Sequence, residues 1–124
     1  VMVANIDLVI FIGLVKKEGR AVRRVKEVVE ILGTDPDSKE LITNTIFKWD
    51  PVADSFTFSG RSFLLEKIEQ STGVSRELLY GELERRAKLF EALREEGMMS
   101  YRDVTDIVRR YSIDPEGVMD EASK

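Results

Sequence analysis

The stretch IDLVIFIGLVKKEGRAVRRVKEVVEIL, residues 6–32, decides how the first half of this chain folds. Residues 8–15 form an unbroken apolar run, which is too short for an ordinary helix and is typical of a strand buried on both faces. Residues 16–20 interrupt the run with charge and with Gly19, a residue that easily takes a positive φ. The pattern predicts an antiparallel hairpin.

The second arm of this hairpin, residues 21–32, fits two structures. Its content of β-branched residues favours a strand. One face of a helix is also possible, through Val22, Val25, Val28 or Val29 and Leu32. The strand is the preferred interpretation, and the helix stays open as the alternative.

The composition excludes several classes of function. The chain has 124 residues, 43% of them hydrophobic and 34% charged, which indicates a soluble globular protein of one or two modules. The absence of Cys and His removes disulfides, Cys-ligated metals and the commonest general base. A net charge of −4 argues against a DNA- or RNA-binding domain. No apolar stretch reaches the roughly 20 residues of a transmembrane helix.

The start of the chain suggests that it is part of something larger. Residue 1 is Val rather than Met, and a strongly apolar strand follows within a few residues. We therefore expect an excised C-terminal piece of a longer protein. Downstream elements can cover only one face of residues 8–15, so we also expect the isolated chain to associate with itself, through the open face or by pairing of strand edges.

A second hairpin is predicted over residues 41–59. Residues 41–49 (LITNTIFKW) and 55–59 (SFTFS) alternate apolar with polar side chains, as half-buried strands do. Pro51 favours a turn between them. Trp49 is interpreted as a packing aromatic, with stacking on a ligand as the alternative.

After Gly60 the spacing of apolar residues becomes helical. Gly73 suits the end of a first helix, and Ser75 and Gly97 suit the start and the end of a long second one. Ser100 with Asp103, and Asp114 with Pro115, predict two further helix starts. The residues expected to face inward are Leu78, Leu79, Leu83, Leu89, Phe90 and Leu93 in the long helix and Val104, Ile107, Val108 and Tyr111 in the next. The expected fold is α+β, with antiparallel β-hairpins over residues 1–60 and a helical subdomain over residues 61–124.

No familiar phosphate-binding, zinc-hydrolase or serine-hydrolase motif is present. The acidic pairs Glu95–Glu96 and Asp103/Asp106 are interpreted as solvated helix faces rather than a cation site, and residues 84–86 as another solvated face rather than an intersubunit ion-pair patch.

Arg23 and Arg24 are the candidate site residues. Adjacent residues of a strand point to opposite faces, and a guanidinium on a rigid strand can reach a phosphate or a carboxylate of a neighbouring subunit. The alternative is that these charges protect an edge strand from aggregation.

Three stretches together resemble the C-terminal end of archaeal secretion ATPases of the type II/IV, pilus and archaellum class. They are residues 6–10 followed by GRAVRRVKEVVEI, then IFKWDPVADSFTFSG, then GVSRELLYGELERRAKLFEALREEGMMSYRDVTDIVRRYSIDPEGV. The resemblance covers nearly the whole chain. The WDPxxDxF element at residues 49–56 and the run over residues 82–97 are its more specific parts.

The resemblance implies that residues 6–32 are late strands of a RecA-like nucleotide-binding core, followed by its C-terminal helical subdomain. Members of this class are hexameric, Mg-ATP-dependent motors that drive pseudopilus or filament assembly, or export, from the cytoplasmic side of the membrane. Their phosphate-binding lysine, acidic Mg-site residues and histidine box lie upstream of this chain. Only Arg23 and Arg24 carry over, as the basic pair of the hairpin.

We therefore expect the C-terminal domain of an ATPase for secretion or for pilus or archaellum assembly. It has no catalytic site or cofactor of its own, and it couples Mg-ATP hydrolysis by the upstream core to secretion or filament assembly. The expected partners are the rest of the ATPase, the other subunits of a hexamer and a membrane platform protein, but no nucleic acid. The expected location is cytoplasmic, at the inner face of the membrane. The alternative is a stand-alone α-helical adaptor unrelated to nucleotide hydrolysis.

Overall fold

A computed structural model describes residues 6–124, which form a four-stranded antiparallel sheet followed by four helices. The strands β1 (Leu8–Lys17), β2 (Arg20–Thr34), β3 (Leu41–Asp50) and β4 (Ser55–Phe58) lie side by side in chain order. The helices are α1 (Phe63–Thr72), α2 (Arg76–Glu95), α3 (Tyr101–Ile113) and α4 (Pro115–Ala122). The predicted α+β class is confirmed, and residues 21–32 form a strand. The expectation drawn from Val1 falls outside the described residues.

The first hairpin turns through two residues, Glu18 and Gly19. Both take positive φ values, 52° and 77°, and Lys17 pairs with Arg20 across the turn. Two consecutive left-handed residues match the right-handed twist of the flanking strands, which is why such turns join hairpins tightly. The register of β1 against β2 shifts once, between Phe11 and Ile12.

Glu30 joins the sheet to α1. Its side chain lies in β2, is completely buried and points its carboxylate at the start of the helix. Oε1 accepts hydrogen bonds from Asn44 Nδ2 and the Phe63 amide, both 2.9 Å long, and Oε2 accepts them from Ser62 Oγ (2.6 Å) and the Leu64 amide (2.9 Å). The carboxylate therefore binds the amide groups that a helix leaves unpaired at its N-terminus.

The chain divides into two compact units, the first ending at Gly73 and the second spanning Val74–Lys124. The change from strands to helices falls between β4 and α1, near the predicted boundary at residues 60/61. The division between the compact units falls later, after α1. The helical subdomain expected over residues 61–124 thus contributes its first helix to the sheet unit, because Glu30 and Asn44 hold the beginning of α1.

The ends of the helices follow the predicted signals. Ser75 and Ser100 accept hydrogen bonds from the amides of Leu78 and Asp103, and Asp114 accepts one from the amide of Gly117. Pro115 is the first residue of α4. Gly73 and Gly97, at φ values of 76° and 75°, follow α1 and α2. Ser75, Ser100 and Asp114 fix the helix starts because their side chains pair amide groups that the helix leaves unpaired. The two glycines fix the helix ends because they take a positive φ, which glycine tolerates.

The helical unit has its own core of Leu89, Leu93, Ile107, Tyr111 and Val118, one or two residues from each of α2, α3 and α4. The prediction that Leu78, Leu83 and Phe90 face inward is wrong, since all three are exposed. Leu89 and Leu93 are one turn apart and meet the other two helices, whereas Leu83 and Phe90 lie on the neighbouring stripe of α2. Val108 of α3 is exposed as well.

Candidate functional site

The WDPxxDxF element forms the turn between β3 and β4. The carboxylate of Asp50 accepts hydrogen bonds from the amides of Val52 (2.9 Å) and Ala53 (3.4 Å), which closes the first part of the turn. Asp54 then takes a left-handed conformation, with a φ of 49°, before β4 begins. Both aspartates of the element therefore have identifiable structural roles.

Asp54 connects the two hairpins of the sheet. Arg24 donates to it twice, from Nε to Oδ1 (2.9 Å) and from a terminal guanidinium nitrogen to Oδ2 (3.0 Å). Lys17 donates to Oδ2, and Trp49 Nε1 donates to Oδ1 over 2.8 Å. One carboxylate of the second hairpin thus binds two cations of the first, in the two-pronged geometry that Arg and Asp favour. Together, Arg24, Lys17 and Trp49 hold the pKa of Asp54 far below its usual range.

Trp49 has a polar partner and an aromatic neighbour. Its indole N–H is bonded to Asp54, and it lies opposite Phe56 in the register of β3 against β4. Next to this pair, the rings of Phe47 and Phe58 lie 5.3 Å apart. The packing interpretation of Trp49 accounts for these contacts, and stacking on a ligand stays an untested alternative.

The structure separates the two candidate arginines. Arg24 is half-buried and bound to Asp54, whereas Arg23 is exposed and lies opposite Leu14 of β1. Pairing of β2 with β3 begins only at Glu27, so this part of β2 belongs to a two-stranded extension of the sheet. The guanidinium of Arg24 is therefore engaged within the sheet unit. A contact of Arg23 with a phosphate or a neighbouring subunit remains a prediction.

The surface of the sheet carries an open apolar strip along β1. Leu8, Ile10, Ile12 and Leu14 alternate along the strand and share one face, and their exposed fractions are 40%, 52%, 65% and 68%. Leu8 lies opposite Glu30, the residue covered by α1, so exposure increases with distance from that helix. An apolar strip of this kind is typical of a surface that packs against something else.

A polar cluster in the helical unit includes residues of the 82–97 run, the second of the two more specific parts of the resemblance. Tyr111 donates a 2.5 Å hydrogen bond to Glu82, which also accepts one from Arg86 (3.0 Å). The guanidiniums of Arg85 and Arg86 lie 5.9 and 5.4 Å from the centre of the Tyr111 ring, and Arg85 reaches Glu116 of α4 at 2.9 Å. Arg85 and Arg86 thus help to hold the three helices together, rather than forming only the solvated face expected for residues 84–86.

Tyr111 and Glu82 shift each other's ionisation. Burial raises the pKa of the Tyr111 hydroxyl, and its hydrogen bond to Glu82 raises that pKa further. The same hydrogen bond, together with Arg86, lowers the pKa of Glu82. The pair is therefore held as a neutral phenol donating to a carboxylate at neutral pH.

Sequence reasoning missed Glu30 and Glu82 as structural anchors. The signal for Glu30 was its position inside the apolar run VVEIL, because an acidic residue in a buried strand needs several partners. The partners of Glu30 lie 14 to 34 residues away along the chain, and local patterns carry no information about them.

Two properties of residues 6–124 bear on the type of site. Within this range no helix is both long and apolar enough to cross a membrane. The same range contains no group of three or more acidic side chains placed to hold a metal ion.

Comparison with known families gives a match at the C-terminal side. The model of a family described as PilB3-like, C-terminal, matches residues 53–123. The match begins in the β3–β4 turn, just before Asp54, and covers nearly all of the helical unit.

Three proteins of Methanocaldococcus jannaschii are similar to the chain. Uncharacterized protein MJ1287 is 40% identical over 76 residues, which are 61% of this chain and 28% of that protein. Uncharacterized protein MJ0900 is 32% identical over 108 residues, 84% of this chain and 20% of that protein. Uncharacterized protein MJ0781 is 24% identical over 119 residues, 96% of this chain and 16% of that protein. The chain therefore spans less than a third of the length of each relative.

Proposed function

Since the chain belongs to the PilB3-like, C-terminal family, we propose that it is the C-terminal domain of an ATPase that drives secretion or the assembly of a pilus or archaellum. The observation that carries the proposal is the family match over residues 53–123. The much greater length of the three relatives supports it, because a protein of that size has room for a nucleotide-binding core beside this domain.

The proposed role of the domain is mechanical. The rest of the ATPase hydrolyses Mg-ATP, and this domain passes the resulting movement to neighbouring subunits of a hexamer and to a membrane platform protein at the inner face of the membrane. Asp54 stiffens the sheet unit by tying its hairpins together, and Tyr111 does the same for the helical unit. The open apolar strip of β1 would pack against the upstream part of the polypeptide.

We propose that residues 6–124 do not hold the nucleotide themselves. Lys17 and Arg24, which lie together on the first hairpin, both bind Asp54, and that carboxylate would repel a phosphate. Mg-ATP is therefore assigned to the upstream part of the parent protein, and no step of the hydrolysis is assigned to these residues.

The test uses the full parent protein and measures Mg-ATP turnover. Leu14→Lys places a charge in the apolar strip, so we expect it to lower turnover about tenfold by loosening the domain from the core. Val52→Lys is the matched control, because Val52 is 94% exposed in the β3–β4 turn and should leave turnover unchanged.

In this chain carrying each substitution, the emission of Trp49, its only tryptophan, would show that both variants keep the sheet unit folded. Equal turnover in the two folded variants would contradict the proposal that β1 packs on the core. A parent protein that does not hydrolyse Mg-ATP would overturn the proposal as a whole and favour the stand-alone adaptor.

A further inference from the structure

Within the described part of the chain, no strand pairs with the outer edge of β1. β1 is the terminal strand of the sheet, and among residues 6–124 only β2 pairs with it. No charged residue interrupts it between Leu8 and Val15. Proteins usually protect a long edge strand with charges, proline or a cover, because its free amide and carbonyl groups readily pair with another strand.

We propose that a second copy of this chain occupies this edge, through antiparallel pairing of the two β1 strands around Ile12. In an antiparallel pair, two residues directly opposite each other either both point their N–H and C=O groups at the partner strand or both point them away from it. A two-fold axis between identical strands must therefore pass through a residue rather than between two residues. Three central residues, Phe11, Ile12 and Gly13, are the candidates for the axis.

An axis at Ile12 makes the charges complementary. Asp7 of each copy then lies opposite Lys17 of the second copy, and two such ion pairs, one at each end, would form if the Lys17 ammonium, which binds Asp54, is shared with Asp7. An axis at Phe11 would place Asp7 opposite apolar Val15. An axis at Gly13 would place Lys17 opposite Val9 and Glu18 opposite Leu8.

The same register pairs most of the apolar side chains with one another, and Leu8, which lies opposite Lys16, is the exception. Ile10 lies opposite Leu14, Val9 opposite Val15, and Ile12 opposite its own counterpart. Phe11, which is half-exposed, lies opposite Gly13, over which the aliphatic part of the Lys26 side chain packs, so the ring and this flexible chain would share the space above the glycine. Aromatic residues placed across from glycine on a neighbouring strand are a known way to stabilise such edges.

This pairing goes beyond the proposed function and does not depend on it. It is a contact between copies of this chain, and in a longer parent protein the upstream polypeptide would compete for the same strand. Its test therefore uses the chain itself and reports the register, which the turnover experiment does not.

Cysteine cross-linking measures the register directly, since the chain has no native Cys. In Ile12→Cys the two cysteines face each other with Cα atoms about 5 Å apart, within the range of a disulfide. In Ile10→Cys or Leu14→Cys the two like cysteines are four residues apart along the strands, about 13 Å, which is too far.

Under mild oxidation we expect a covalent dimer from Ile12→Cys and none from the two single controls, while the double variant Ile10→Cys/Leu14→Cys cross-links again. Equal cross-linking by all three single variants would overturn the register. All three positions are exposed, so the fold should survive each substitution.

Sedimentation of the unmodified chain tests the pairing without cysteine. Asp7→Lys sets like charges opposite each other at both ends of the pair and should raise the dimer dissociation constant about tenfold. Asp37→Lys, in the exposed turn between β2 and β3, is the control and should leave it unchanged. A chain that stays monomeric up to about 1 mM would overturn the proposal.

Discussion

The buried carboxylate of Glu30 accepts a 2.6 Å hydrogen bond from the hydroxyl of Ser62, and this contact ties the sheet to the first helix. Ser62 is the N-cap of α1, and its hydroxyl oxygen also accepts from the Leu65 amide. The hydroxyl thus donates to the strand and accepts from the helix. Disturbing either residue should therefore affect both elements.

The first prediction is that Glu30→Gln destabilises the sheet unit by about 2 to 4 kcal/mol. A glutamine has only one acceptor oxygen and adds two donors, so at least one buried donor of α1 or Asn44 loses its partner. Urea unfolding followed by the fluorescence of Trp49 reports on this unit. Glu40→Gln, at an exposed position, is the control, and equal midpoints for the two variants would contradict the prediction.

The second prediction concerns acid. Burial raises the pKa of Glu30, but the hydrogen bonds from Ser62, Asn44 and the amides of Leu64 and Phe63 lower it more, to below its ordinary value of 4.5. The unfolded chain therefore binds this proton more readily than the folded one. The contribution of the Glu30 carboxylate to stability is present at pH values above its pKa in the unfolded chain. It is lost as the pH falls through the lower pKa that this carboxylate has in the folded chain.

The urea midpoint of the sheet unit should accordingly be flat between about pH 7 and pH 5 and decline below about pH 4. Asp54, whose pKa is also lowered, acts in the same direction. The Glu30→Gln variant should decline less steeply than the unmodified chain. Parallel curves for the two proteins would show that Glu30 does not cause the loss.

Much of the fold could be predicted because its signals are local. Gly19 marks the first turn, and Ser75, Ser100 and Asp114 start helices through bonds to residues only three positions away. The strand assignment of residues 21–32 followed from β-branched content alone. Such signals act within one turn or one hairpin, which is the range that sequence patterns describe.

The contacts of the site could not be predicted in the same way. Asp54 was visible only as part of a turn motif, although its partners Arg24 and Lys17 lie 30 and 37 residues earlier. Helical periodicity likewise placed Leu83 and Leu89 together on the inward face of α2, and only tertiary packing decides that Leu89 rather than Leu83 is buried. The anchors of this protein are long-range polar bonds, which depend on the completed fold.

The third prediction is that Tyr111→Phe destabilises the helical unit by about 0.5 to 1.5 kcal/mol. The substitution removes the hydrogen bond to Glu82 but keeps the ring that packs in the core. Thermal unfolding followed by helical circular dichroism measures the effect. Tyr101→Phe is the matched control, because Tyr101 is 75% exposed and its loss of a hydroxyl should change little.

The last prediction separates the two arginines of the first hairpin. Arg24→Ala removes both bonds to Asp54, so in the isolated chain it should lower the urea midpoint of the sheet unit and alter the emission of Trp49, which shares that carboxylate. Arg23→Ala should change neither, because Arg23 is exposed. The effects of Arg24→Ala and Asp54→Asn should not add when combined, since both remove the same contact.

In the full parent protein, Arg23→Ala rather than Arg24→Ala should have the larger effect on function. If Arg23 reaches a phosphate or a neighbouring subunit, Arg23→Ala lowers Mg-ATP turnover or hexamer formation while the folding of the domain stays intact. Arg23→Lys provides the control, since it keeps the charge but loses the paired donors of the guanidinium. Unchanged turnover and assembly in Arg23→Ala would leave Arg23 as a solvated charge on the hairpin and Arg24, through Asp54, as the only member of the pair with a defined role.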